Sequence, residues 1–159
     1  MDEIVYYFII IAAIGSGMVA GVLFAFSAFV MKALNRLSAE QSIAAMQSIN
    51  ITVLNPLCSV LFFGTGLITL FILITSFNRW NDPDAIYLLA GSASYLIALF
   101  ITGAFNVPLN NKLAVVNPAA NDGAQKWGSF VAKWMIWNHI RTLACVASSA
   151  FLLIAFHMQ

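Results

Sequence analysis

Charge is what this sequence has least of. Of 159 residues, seven are Lys or Arg and six are Asp or Glu, 8% in all, roughly a third of the density of an ordinary soluble domain. A water-soluble domain of this length needs many more ionic side chains to solvate its exterior. With 62% of the residues apolar, lipid must be the solvent for most of the chain. A net charge of +1 excludes the basic field that nucleic-acid binding requires. Cysteine is scarce too: Cys58 and Cys145 both lie in apolar runs and read as inert thiols, and they exclude a disulfide framework or zinc spacing. A Ser-His-Asp set, a glycine-rich phosphate loop and a dinucleotide fingerprint are absent, which disfavours nucleotide and acyl-transfer chemistry. No internal repeat is evident, so one domain is expected over 1–159.

What is present is four long apolar runs. Ile4 to Met31 carries no charge and exceeds the ~20 residues needed to cross a bilayer. Asp2 and Glu3 precede it, where a secretory signal would carry Lys or Arg, so it reads as a retained helix. Further spans are expected over 53–77, 85–105 and 134–156, giving an all-α polytopic membrane protein, a four-transmembrane-helix bundle. Ser38 to Gln41 reads as a capping box opening a surface helix. Asn55-Pro56 marks a kink or helix start. Between the third and fourth spans lies a polar stretch from Asn106 to Gly123, and the helical period resumes at Ala124. Lys32, Arg36, Lys112, Lys126 and Lys133 lie beside the spans on one side and Arg79 alone on the other. This places loops 32–52 and 106–133 in the cytoplasm and both termini outside, in the cell (inner) membrane. Gly17 and Gly21 form a GxxxG pattern, which serves packing within the bundle or a homo-oligomer contact through that face.

Polar groups inside hydrocarbon are costly, roughly 3 kcal/mol for a central Arg on insertion scales. Arg141 is therefore the outlier: it either snorkels or holds a structural hydrogen bond, or it binds an anion or substrate. His139 stands two residues away, about 200° around the helix, so the two cannot point into one small pocket. Trp134, Asn138 and Arg141 share a face, whereas His139 groups with Met135 and Thr142. The asparagines Asn106 and Asn110 close the third span; such residues cap helix ends or bind ligands. No metal site is expected, because every Asp and Glu lies outside the spans and none forms a Glu-x-x-His pair.

Two segments, Phe105-Asn106-Val107-Pro108-Leu109-Asn110-Asn111-Lys112-Leu113-Ala114 and Trp134-Met135-Ile136-Trp137-Asn138-His139-Ile140-Arg141-Thr142, resemble the anthrone-oxygenase-like family of small four-helix membrane proteins. The stretch Gly17 to Leu34, with Phe24, Phe26, Ser27 and Met31, is similar to that family's glycine-rich opening. The resemblance implies oxidation of an anthrone, or another hydrophobic aromatic molecule, to a quinone by molecular oxygen without metal or organic cofactor. In a physical sketch of that reaction on this sequence, Arg141 would stabilise the substrate oxyanion and His139 would be the candidate base. Asn106, Asn110 and Asn138 would supply hydrogen bonds, and Trp134 would stack on the flat substrate. Two other classes stay open: a non-catalytic membrane protein, either a small-molecule carrier subunit or an assembly factor, and a haem or quinone redox protein.

Overall fold

The structure, a computed structural model, describes residues 3–158. Asp2 of the sequence reading lies outside them. Four helices are long and apolar enough to cross a membrane: α1, Ile4–Leu34, then α3, Pro56–Phe77, α4, Ala85–Ala114, and α5, Gly123–His157. Between the first two lies the shorter α2, Ala39–Thr52. No strand occurs among the described residues. Large apolar side chains such as Met18, Phe24, Leu67, Phe100 and Leu143 project outward, which a soluble surface would not tolerate in such number. The chain is a multi-pass membrane protein.

Around the bundle, α5 packs on α1 and α4, and α3 packs on α4 and α1. Helices α1 and α5 run antiparallel, since Ser16 bonds Ser148 at 3.1 Å while, further along α1, Asn138 reaches the Leu23 carbonyl at 2.9 Å. Small residues set the close approaches. A methyl group on Gly91 would stand 2.9 Å from Leu152 Cγ and 3.2 Å from its backbone nitrogen, so α4 and α5 meet where a side chain would push them apart. Gly17 faces Ser149 of the same bundle, 3.3 Å from where its Cβ would be, but Gly21 has nothing within 4 Å.

At the basic end, the capping box closes as expected. Ser38 Oγ accepts from the Gln41 amide at 3.3 Å, and Gln41 Oε1 accepts from the Ser38 amide at 3.2 Å. Ile43 and Met46 of α2 then bury against Met31, Trp127, Phe130 and Trp134. Gln47 fastens α2 to the end of α4 by donating to the carbonyls of Leu113 and Val116, both at 2.9 Å. The second span begins at Pro56, three residues later than expected, because Asn55 caps it by accepting from the Cys58 amide at 3.0 Å.

The largest departure from the sequence reading lies in 106–114. Helix α4 continues to Ala114 and α5 starts at Gly123, leaving a connection of only 115–122. Proline removes a helical donor, yet Pro108 is carried without a break because a π-helical turn, Thr102–Asn106, immediately precedes it and has already reset the hydrogen-bond register. Two more π turns occur, at Phe26–Val30 in α1 and Val60–Gly64 in α3.

Candidate functional site

Two of these wide turns face α5 at the same depth. The turn in α1 carries Ser27, and the turn in α4 carries Thr102 and Asn106. An extra residue in a turn re-aims the side chains around it, and such turns concentrate at functional sites. Here they bring three polar groups against one stripe of α5.

Arg141 is 6% exposed. One terminal nitrogen donates to Asn138 Oδ1 at 2.8 Å and the other to Thr102 Oγ1 at 3.1 Å. The Thr102 hydroxyl keeps its own hydrogen on the Ala98 carbonyl, at 2.8 Å. The guanidinium carbon stands 5.5 Å from the centre of the Trp134 ring, within cation–π range. Ion pairs among the described residues join Arg79 to Asp82 and Asp84, and Lys126 to Asp122; none reaches Arg141. Its Nε–H is buried with no acceptor. A desolvated cation with neither counter-ion nor a full set of acceptors is a ready binding point for a developing negative charge.

Asn138 is fully buried and its orientation is fixed by its partners. Its amide nitrogen donates to the Leu23 carbonyl at 2.9 Å and to Ser27 Oγ at 2.8 Å, while its oxygen takes Arg141. Ser27 Oγ also lies 2.9 Å from Nδ1 of His139, whose ring is exposed. Arg141 thus turns towards α4 and His139 towards α1, as helical phase demands. An unbroken chain of hydrogen bonds nevertheless joins them, running Arg141, Asn138, Ser27, His139.

Asn106 donates to the Trp134 carbonyl at 3.3 Å, and its own oxygen is buried without a donor. Asn110 accepts from the Trp134 indole N–H at 2.9 Å. The Trp134 ring is 4% exposed and is bordered by Arg141, Phe26 and Phe130. Of the six residues singled out from sequence, Arg141, Asn138, Trp134, Asn106 and Asn110 therefore form one bonded cluster, with His139 at its outer edge. No three His, Cys, Asp or Glu side chains converge among the described residues.

The family profile described as anthrone oxygenase matches residues 57–151, more than half of the chain. The chain belongs to the anthrone oxygenase family. No curated protein and no solved structure matches it. The anthrone oxygenase match spans α3, α4 and most of α5, and so includes Thr102, Asn106, Asn110 and the Trp134 to Arg141 stripe. Ser27, on α1, stands outside the matched segment.

Ser27 and Thr102 are the site residues that sequence reasoning did not select. A hydroxyl in an apolar helix ordinarily bonds back to its own backbone, as Thr102 in fact does. The only signal for Ser27 was its place in the opening stretch that resembles the family.

A groove of about 400 Å³, lined by none of the cluster residues, runs between α1 and α5 along Gly17, Gly21, Phe24, Val146, Ala150 and Leu153 among others. Its two walls follow helical stripes that continue one to two turns on to Ser27 and His139.

Proposed function

We propose that this chain is a membrane oxygenase that converts an anthrone-like, hydrophobic aromatic substrate into a quinone with molecular oxygen. The observation that carries the reading is Arg141: a buried, unpaired guanidinium with a free Nε–H, held on Asn138 and Thr102. Beside it the family match supports the reaction type.

An anthrone's central ring bears a keto oxygen on one edge and an acidic CH₂ on the other. Removing one CH₂ proton leaves the electron pair delocalised onto the keto oxygen. That oxygen accepts from Arg141 Nε–H, and Asn106 Oδ1 takes a neighbouring hydroxyl. The anion reduces dioxygen, which adds at the ring carbon as a peroxide anion and takes back the first proton to become a hydroperoxide. Loss of the second C–H proton breaks the O–O bond and expels water, so that one anthrone and one O₂ give one quinone and one H₂O. The substrate's own electron-rich anion is the reductant. His139 receives the first proton, and Asn138, Asn110 and Trp134 act by holding Arg141 and Asn106 in place. The lipid-facing groove between α1 and α5, whose lining stops short of Ser27 and His139, is the entry route from the bilayer, and the substrate reaches Arg141, on the α4 side, only as the helices part around Ser27. The lysine-rich end faces the cytoplasm of a cell membrane, with both termini opposite.

The test is oxygen uptake by the detergent-purified protein with an anthrone, after subtraction of spontaneous autoxidation. Acceleration that Arg141→Met abolishes supports the reading. A second reading, a non-catalytic carrier subunit or assembly factor, is favoured by the internal bonds that occupy Asn110, Asn138 and Trp134. It predicts anthraquinone binding, or none, with no faster oxygen uptake.

A further inference from the structure

The hydrogen-bond directions around Ser27 can be assigned one by one. Asn138 Nδ2 can only donate, and it does so to Ser27 Oγ at 2.8 Å. Thr142 Oγ1 sends its own hydrogen to the Asn138 carbonyl at 2.8 Å and lies 3.5 Å from Ser27 Oγ, beyond the usual O–H···O range. The shortest acceptor open to the single Ser27 hydrogen is Nδ1 of His139, at 2.9 Å, and we take it to point there. His139 is then the tautomer with its hydrogen on the outward Nε2, and its basic lone pair faces Ser27.

This arrangement resolves a conflict within the oxygenase reading, on which the inference rests. His139 is on the wrong side of α5 to touch a substrate held by Arg141, yet a base is needed. We infer that Ser27 is a catalytic proton shuttle between the substrate and His139. The substrate C–H proton moves to Ser27 Oγ as the Ser27 hydroxyl proton moves to His139 Nδ1. The carbon's electron pair stays on the substrate and spreads to the oxygen beside Arg141. His139, now cationic, later returns this proton through Ser27 to the peroxide anion, and the pair returns to its starting state. During the transfer Asn138 Nδ2–H stabilises the negative charge that grows on Ser27 Oγ. Because Asn138 also grips Arg141, one amide spaces the shuttle from the anion-binding group.

The experiment combines oxygen uptake with nitrogen NMR of the histidines in the full-length protein in detergent. Ser27→Ala and His139→Gln each lower the enzymatic rate by about a hundredfold or more, the scale of a lost acid–base group. The double variant is no slower than the worse single one, because the two act as a unit. Ser27→Thr, which keeps the hydroxyl, recovers most of the rate. The NMR spectrum shows His139 of the unmodified protein protonated on Nε2 and bare on Nδ1. A Ser27→Ala protein that keeps full rate while Arg141→Met loses it, or His139 protonated on Nδ1, overturns the shuttle and leaves the oxygenase reading intact. Losses that multiply in the double variant also overturn it. An unmodified protein that does not accelerate uptake overturns the oxygenase reading and the shuttle with it.

Discussion

Replacing Arg141 by methionine sets two free-energy changes of opposite sign against each other. The substitution strands Asn138 Oδ1, buried and now without a donor, at a cost of about 1–3 kcal/mol. Thr102 loses one bond but keeps its hydrogen on the Ala98 carbonyl. Against this, a desolvated positive charge leaves the hydrocarbon, which returns roughly 3 kcal/mol on insertion scales. The two nearly cancel, as replacing a buried charge with an apolar chain of similar volume often does. Catalysis has no such offset: removing a fixed donor from a developing oxyanion costs about 10²–10³ in rate, or roughly 3–4 kcal/mol. Arg141→Met is therefore expected to unfold within a few degrees of the unmodified protein and to lose at least a hundredfold in the enzyme-dependent part of oxygen uptake. Arg141→Lys keeps the charge but has no counterpart to Nε–H in a planar fork, and is expected to lose about tenfold or more. Both variants oxidising anthrone at the unmodified rate would refute the oxyanion argument.

Other expectations separate packing from chemistry. Gly91→Ala places a methyl against Leu152, including its backbone nitrogen at 3.2 Å, and should cost about 1–3 kcal/mol in detergent unfolding. Gly21→Ala meets nothing within 4 Å and should stay within about 0.5 kcal/mol. Trp127→Phe removes the indole bond to Asn35, 2.8 Å long, and should lower stability by about 1 kcal/mol while leaving oxygen uptake unchanged. Gly21→Cys, in a Cys58→Ser background, should react with a lipid-soluble maleimide and be shielded by added anthraquinone. Rapid disulfide dimerisation of that variant would instead assign the Gly17/Gly21 face to a second copy of the chain.

The spans were legible because hydrocarbon imposes a simple demand, a run of apolar residues about twenty long. The Ser38 capping box and the Asn55-Pro56 start were legible for a comparable reason, since orphan backbone groups at a helix start call for particular side chains. The reach of α4 past Asn106 was not. Asparagine and proline there have the composition of a loop, and the π turn that absorbs Pro108 depends on packing against α5. Arg141 stood out by its cost in lipid alone, and its contacts with Asn138 and Trp134 lie on the face that helical phase gives all three. Ser27 and Thr102 were hidden, because what distinguishes them is a partner more than 110 residues away for one and 39 for the other. Helical phase correctly placed His139 and Arg141 on different sides, but phase along one helix cannot show a neighbouring helix supplying the link.

The most direct measurement is anthrone oxidation under ¹⁸O₂ by the purified protein, following rate and product mass together. Quinone is expected to form well above the autoxidation rate, with one O₂ consumed per quinone and one ¹⁸O in each product molecule. A rate indistinguishable from autoxidation, in protein that is folded in detergent and in lipid vesicles alike, would contradict the oxygenase reading.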